Sequence, residues 1–483
     1  MLLASADSDS ILTGARQDLL DFRVPAAEKA LHRLSRRPDG APAAYYHLTV
    51  SSFLKFIMSD RDRFQEEFWQ RRDSLDDILS DQPDGLWKDY LSAESSLMHA
   101  IVHAKRGRFV KAAFAGRSAY RTYESVRRRD AEFYDAYKGL GLLHLSVSAL
   151  PGLYRKFLSI LGMRGSTEEG LRELTLAADS SRYSREDSRI LLGFANTIVP
   201  GAVEDGGPPL RRLYRDHPRS PLFVHLYGFY LFSKRRAADA EDVLAPVAKQ
   251  RGSEDVFYVD YIDYFLAQSL FRQDRFEESI PHFRRYIELH HGLAVRAMAN
   301  LYLGLALEMQ GRRREAVVYY RQVKATRERD SDHAAARHAA RVLATPMDAA
   351  DRRLLMARAA FDSGRYARAI SLAREIASDD SVRADQLAEA QYRLGRALQE
   401  SGRPADALDA FGRAASAGGR RDARFGPWSE YHIGQILEKQ GDFEGAAEAY
   451  RRAEDYDTPF DYHNGLERDL RFAWARLKAS RID

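Results

Sequence analysis

The sequence predicts an all-α fold, a solenoid of stacked helical hairpins, on three observations. Three stretches of the C-terminal half share one register: LYLGLALEMQGRRREAVVYYRQV (301–323), YRLGRALQESGRPADALDAFGRA (392–414) and YHIGQILEKQGDFEGAAEAYRRA (431–453). The register recurs more loosely at Ala357/Gly364/Ala369, Ala267/Asp274/Ser279/Phe283 and Gly228/Arg235/Ala240. The composition, 45% hydrophobic with 31 glycines and 16 prolines in 483 residues, is that of an ordered chain too long for one compact core.

In each stretch a small residue of a first helix (Gly304, Gly395, Gly434) is followed seven residues later by a glycine (Gly311, Gly402, Gly441). A small residue of the second helix comes next (Ala316, Ala407, Ala446), and an aromatic four further on (Tyr320, Phe411, Tyr450). The two small residues are expected to face each other and let the backbones approach. The intervening glycine supplies the left-handed residue that ends the first helix, and the aromatic is expected to fill the gap to the next hairpin. A bulky side chain at Ala407 or Ala446 should overpack the pair and cost ~1–3 kcal/mol. Stacked in sequence, such hairpins are tetratricopeptide-type repeats, about nine of them forming an α-α superhelix. The first-helix small residues stand at 228, 267, 304, 357, 395 and 434. The longest step, from 304 to 357, holds an additional alanine-rich helix over 332–344 that Thr345-Pro346 closes.

Three regions are expected. Irregular hairpins fill 1–200, with an apolar helical insertion at 145–165, whose helix over 150–161 reads as an internal plug, the alternative being a partner-facing element. Middle hairpins and the extra helix fill 201–345, and C-terminal hairpins fill 346–483. Within the first region, 15–34 reads as a hairpin burying Ala27, Leu31 and Leu34, and 45–58 with 61–79 as a longer pair. Ala100, Gly107, Ala112 and Ala119 repeat the register, and the proline- and glycine-rich run at 199–209 reads as a loop.

The segment GLGLLHLSVSALPGLYRKFLSILGMRGSTEEGLREL (139–174) runs one helix into Leu145-Ser146 and Ala149-Leu150-Pro151. An apolar helix ends at Leu161-Gly162, and Arg164-Gly165 leads into Glu168-Glu169-Gly170-Leu171. In this it resembles the tetratricopeptide repeat protein 39 family, which includes the fungal inclusion-body clearance protein. There a leucine-rich, proline-containing helix precedes a Gly–x–x–Gly turn and a Glu–x–Gly–Leu helix. The stretches 211–232 and 256–270 resemble that family's middle hairpins. Ser166 stands where the family usually has aspartate. The resemblance implies a helical scaffold concerned with protein quality control, lipid handling or ubiquitin-ligase adaptation. The arginine-rich usage suggests a bacterial member, to which the last of these does not carry over.

Charge and composition exclude several classes. Lys+Arg 74 against Asp+Glu 70 leaves a net charge of +4, too little for a general attraction to nucleic acid. With no cysteine there is no disulfide, thiolate metal site or cysteine nucleophile. No apolar run approaches the ~20 residues of a membrane helix. Ala4-Ser5-Ala6 has the look of a signal-peptide end, yet only Leu2 and Leu3 precede it as an apolar stretch. The cytoplasm is the expected compartment, with export to the periplasm as the alternative.

Motifs that could carry chemistry are weak. His99 and His103 share a helical face but lack a third ligand, so packed histidines are expected. Ser52-Phe53-Leu54-Lys55 matches a penicillin-binding pattern without its companions. Gly139-x-Gly141 lacks the third glycine of a dinucleotide fingerprint. Asp73, Asp76 and Asp77 read as a solvated face, as do the arginine runs at 127–129 and 312–314. No catalytic, cofactor or metal site is expected, and the chain reads as non-enzymatic.

The inner wall of the array is the better candidate. Projecting the register places His225, Phe229, Tyr261, Tyr264, Gln268, Arg358, Tyr392, Arg396, Trp428, Tyr431 and Gln435 on it. Aromatics mixed with Arg and Gln suit a protein or peptide partner, with Arg358 and Arg396 taking carboxylates; the alternative is that several of them fill the tight inside of the superhelix or pack on the irregular N-terminal half. The expected function is a scaffold or adaptor with a protein partner, its oligomeric state open. The alternatives are a small-ligand or enzymatic pocket between the two halves, or a self-assembling solenoid.

Overall fold

The computed structural model describes residues 6–150, 152–198, 206–250, 252, 254, 256–290, 292, 295–325, 330–417, 424–456 and 460–480, without the side chains of Ala6, Gly152 and Leu153. The described residues hold 25 helices and no strand. They form two compact units. Unit 1 comprises Met1–Tyr230, Val243–Ile262 and His290–Gly292; unit 2 comprises Leu231–Asp242, Asp263–Leu289 and Leu293–Asp483.

Unit 1 begins with the expected hairpins. Helix α1 (Ala6–Leu20) packs on α2 (Val24–Leu34), burying Ala27, Leu31 and Leu34. Helices α3 (Ala41–Ser59) and α4 (Asp62–Ser80) pair next, then α5 (Leu86–Lys105) with α6 (Phe109–Arg129), which turn at Gly107 with φ 69°. In that last pair Gly116 and Ala119 are buried, while Ala112 is only half-buried. Gly116 stands where the register elsewhere has its aromatic, so the C-terminal packing is not repeated here. The Ala4-Ser5 part of the signal-like motif lies outside the described residues.

Helices α7 (Asp135–Ala149), α8 (Gly152–Ile160), α9 (Thr167–Ser180), α10 (Arg185–Ile198) and α11 (Gly207–Asp216) complete the regular part of unit 1. Helices α7 and α9 cross at Gly141 and Gly170. A Cβ on either glycine would stand 2.8 Å from the other's carbonyl oxygen, so only glycine permits the approach. A Cβ on Gly139 would run into the Tyr123 ring, which makes Gly139-x-Gly141 a packing motif.

Helix α8 is not a plug. Leu158 turns inward, with Leu161 half-buried beyond it, whereas Tyr154, Phe157 and Ile160 face outward, Ile160 at 84% exposure. A nine-residue helix lying on α7 turns one stripe inward, and its apolar residues at i, i+3 and i+6 occupy the other. Of the run expected as a loop at 199–209, residues 199–205 lie outside the described residues, while Gly207-Pro208-Pro209 open α11, where proline forfeits no hydrogen bond.

Helices α12 (Pro221–Ser233) and α13 (Ala237–Lys249) contribute residues to both units. Then come α14 (Tyr261–Arg272), α15 (Phe276–Leu289), α16 (Arg296–Met309), α17 (Arg313–Tyr320) and α18 (Asp330–Ala344), the last being the expected extra helix. Unit 2 ends with α19 (Ala349–Asp362), α20 (Tyr366–Ala377), α21 (Ala384–Glu400), α22 (Pro404–Ala417), α23 (Phe425–Lys439), α24 (Phe443–Glu454) and α25 (His463–Ser480).

The hairpins α16·α17, α19·α20, α21·α22 and α23·α24 turn at Gly311, Gly364, Gly402 and Gly441, with φ of 74°, 80°, 71° and 82°. Ala316, Ala369, Ala407 and Ala446 are fully buried behind them. The aromatic differs from expectation. Tyr320, Phe411 and Tyr450 each lie on the first-helix glycine of their own hairpin, because a residue without Cβ leaves a flat bed for the ring. Their far sides still reach onward: Phe411 stacks on His432 of α23 at 5.3 Å, and Tyr450 meets Trp474 of α25 at 5.9 Å. The fold is all-α and of the tetratricopeptide-type helical-hairpin class.

Candidate binding face of unit 2

The first helices of the unit 2 hairpins meet through polar and aromatic side chains. Arg358 of α19 donates to the Tyr302 hydroxyl of α16 at 2.8 Å. The Arg396 guanidinium of α21 lies 5.1 Å from the Phe361 ring centre of α19. Tyr392 of α21 faces His432 of α23, ring centres 6.0 Å apart. Arg358 and Arg396 each sit one residue after the small residue of their helix, which puts them on the same face. Their side chains keep 23% and 20% of their exposure.

The other expected residues are placed as follows. Tyr264 and Gln268 are buried in α14, where the Gln268 amide donates to the Tyr264 hydroxyl at 3.4 Å and Tyr264 packs on Tyr286. They lie behind the surface. Tyr431 is also buried, and its hydroxyl accepts from the half-buried Gln435 at 2.9 Å. Trp428 is half-buried at the edge of Tyr431, ring centres 5.7 Å apart. His225, Phe229 and Tyr261 belong to unit 1. There His225 stacks on Tyr261 at 5.5 Å, Tyr261 meets His290 at 4.9 Å, and Phe229 lies against Phe194 at 5.8 Å.

Register projection missed several charged residues of this face. The Arg272 guanidinium lies 3.4 Å from the Phe232 ring centre and donates to the carbonyls of Phe232 and Asp362, both at 3.2 Å. Arg235 donates to Glu400 at 3.0 Å, and its guanidinium lies 4.5 Å from the Phe361 ring centre. Arg235 occupies the position where the register has glycine, with φ 58°, and that departure was its one sequence signal.

Each acid here is already engaged by arginine. Burial pushes the Asp362 carboxyl up, but Arg272 and Arg358 outweigh it and hold it below the ordinary carboxylate range. Glu389 accepts from Arg393 at 2.8 Å and has Arg424 at 3.7 Å; these, with Arg341, overcome burial and hold it far below that range. His338 and His432 are pushed far below the ordinary histidine value, first by burial and then by Arg341 and Arg396 respectively. Both are neutral at neutral pH. A cleft of about 340 Å³ opens among α18, α19 and α21, lined in part by His338, Arg341, Met347, Leu354, Arg358 and Glu389.

The sequence motifs set aside as chance are occupied structurally. His99 and His103 pack on each other at 4.6 Å and on Trp69. Ser52 donates to the carbonyls of Leu48 and Thr49, and Lys55 is paired with Glu28 and Glu67.

Hairpins, glycine turns and buried alanines together give unit 2 its tetratricopeptide-type fold. Residues 264–333, 354–423 and 392–462 match the family model described as tetratricopeptide repeat. That model does not extend to 139–174, so the narrower resemblance to the tetratricopeptide repeat protein 39 family rests on that segment's own residues. Among solved structures the chain is similar to the crystal structure of the P58(IPK) tetratricopeptide domain, at 11% identity over 98% of this chain and 99% of that one. The TM-score is 0.23, and a likeness at that level carries no argument. No curated protein matches the chain.

Proposed function

We propose that the chain is a non-enzymatic adaptor whose unit 2 face receives an acidic segment of a protein partner, with Arg358 and Arg396 as its principal contacts. Tetratricopeptide repeats generally serve protein–protein interaction, which supports the class. One observation supports the chemistry. Along α19 and α21 the carboxylates Asp362, Glu389 and Glu400 are each bonded or held by arginine, while Arg235, Arg272, Arg358 and Arg396 outnumber the acids beside them. Partly exposed guanidiniums beside aromatic rings suit a partner's carboxylates, since bidentate pairing adds to stacking on Phe361 and Tyr302. No described helix is long and apolar enough to cross a membrane.

The test compares capture by the native chain and by Arg358→Gln/Arg396→Gln from an extract of the source organism. Glutamine is preferred to charge reversal because Asp362 lies within 3.7 Å of Arg358. A partner lost from the variant eluate, and weakened by salt for the native chain, supports the reading. Undiminished capture with an unchanged helical melt refutes it.

A further inference from the structure

We infer that His144, Glu169 and Glu173 form a binding site for a divalent transition-metal ion of the zinc class, between α7 and α9 of unit 1. One ligand atom from each lies within 4.8 Å of the others, and no other trio of this kind is found among the described residues. The crossing at Gly141 and Gly170 makes this possible: His144 lies one turn beyond Gly141, while Glu169 and Glu173 flank Gly170. Glu169 and Glu173 are four apart and share a helical face.

The donor chemistry fits. The His144 Nδ1 lies 2.6 Å from Glu173 Oε2, both side chains being buried. Glu173 itself is 5% exposed, and its other oxygen, Oε1, is shut from water and accepts no hydrogen bond. The Arg127 guanidinium lies 3.6 Å from it. A buried carboxylate oxygen without a donor is costly, and a metal ion would satisfy it. One imidazole and two carboxylates suit zinc, leaving a fourth position for water on the side where Glu169 is half-exposed. Magnesium, which prefers oxygen and keeps its waters, is the wrong ion for this set.

A proton is the competing occupant. The groups around the His144–Glu173 pair are Tyr120, Glu124 and Arg127 of α6, Tyr137 of α7, and Glu169 of α9. Burial disfavours the charged imidazole, but the Glu173 bond and the charges of Glu173, Glu169 and Glu124 together outweigh it and raise His144 above its ordinary value. A ligating imidazole must be neutral, so zinc and a proton compete for His144.

The test titrates the full chain, stripped with chelator, with zinc alone and magnesium alone by calorimetry, and with cobalt(II) by visible absorption. Glu169→Gln is the main variant because it leaves the buried His144–Glu173 pair intact; His144→Gln is the second. The expected result is one zinc equivalent bound at least about tenfold tighter than by Glu169→Gln. A cobalt band of four-coordinate type should weaken in Glu169→Gln. Equal zinc affinity in native chain and Glu169→Gln, equal zinc and magnesium affinity, or no binding at all overturns the inference and leaves the pair as an ion pair alone.

Discussion

Tyr450 donates its hydroxyl hydrogen to Glu438, twelve residues earlier, at 2.6 Å, and Tyr320 does the same to Glu308 at 2.8 Å. In both hairpins the acid stands four residues after the glycine on which the ring lies. Each acid also receives an arginine, Arg476 at 2.8 Å on Glu438 and Arg313 at 2.7 Å on Glu308. The third hairpin has Phe411 and Gln399 at these places, so there the ring packs without the bond. Removing the hydroxyl takes one of two donors from a carboxylate oxygen that Arg476 or Arg313 still serves, while leaving the ring on its glycine. Tyr450→Phe and Tyr320→Phe should each cost about 1.5–3 kcal/mol by urea denaturation. A change below about 0.5 kcal/mol in both would mean that solvent replaces the phenol and the repeated bond contributes nothing.

The glycines of the register divide into two kinds, and alanine distinguishes them. At Gly402 a Cβ would meet open space, but φ is 71°. The cost of Gly402→Ala is therefore backbone strain alone, about 1 kcal/mol. At Gly395 the backbone is ordinary helix, but a Cβ would stand 2.7 Å from the Phe411 ring. Gly395→Ala gains helix propensity and loses packing, for a net cost of about 1–3 kcal/mol. Adding Phe411→Leu should recover part of that loss and none of the Gly402→Ala loss. Equal behaviour of the two glycines would contradict the assignment.

These contrasts show what was legible in the sequence. The turns at Gly311, Gly364, Gly402 and Gly441 and the buried alanines follow from local spacing, so the register revealed them. The turns at Arg235 and Asp274 adopt the same left-handed backbone, with φ 58° and 64°, held by Arg235–Glu400 and by the pairs of Asp274 with Arg365 and Arg368. Contacts distant in sequence replaced glycine there, and the motif faded accordingly. The α7–α9 crossing depends on two glycines from separate helices, so the trio His144, Glu169 and Glu173 left no local signal. Arg358 and Arg396 were legible because they share a register position. The burial of Tyr264 and Gln268 was not, since a register names a face but not its depth.

Stability should fall with acid in two windows. Burial pushes the Glu28 carboxyl up, but bonds from Arg71 and the charges of Arg71 and Lys55 outweigh it and bring it down to about 2 from 4.5. Its contribution is complete above about pH 4.5 and is lost as pH falls towards about 2. His47, buried with Nδ1 2.8 Å from the Ala43 carbonyl, is lowered by that burial from 6.5 to about 3. The unfolded chain takes up its proton first, so stability begins to fall below about pH 6.5. His144, with a raised value, has the opposite sign and gives stability that is lost as pH rises. Urea midpoints at about pH 7, 5 and 3 should decline throughout. Glu28→Gln should flatten the lower window, and His47→Gln the upper one. Unchanged slopes in these variants would place the acid lability elsewhere.

The core of unit 1 offers a sharper test, because it holds a charge pair sealed from water. Glu94 receives the hydroxyls of Tyr46 at 2.8 Å and Tyr123 at 2.6 Å, and the Lys138 ammonium at 2.6 Å. Glu94 and Lys138 are 3% and 7% exposed. Burial alone would lower the lysine, yet Glu94, with the charges of Asp187 and Asp135, more than compensates and keeps it charged. Removing one partner should therefore cost more than removing both charges. Lys138→Met alone leaves an ionised carboxylate supported only by two phenols and should cost about 3–5 kcal/mol. In Glu94→Gln/Lys138→Met the amide oxygen can still accept a phenol and no charge remains. The double variant should be more stable than the sum of the single losses by about 1–3 kcal/mol. Additive losses would mean that Lys138 does not compensate Glu94, and that the phenols alone make the buried carboxylate tolerable.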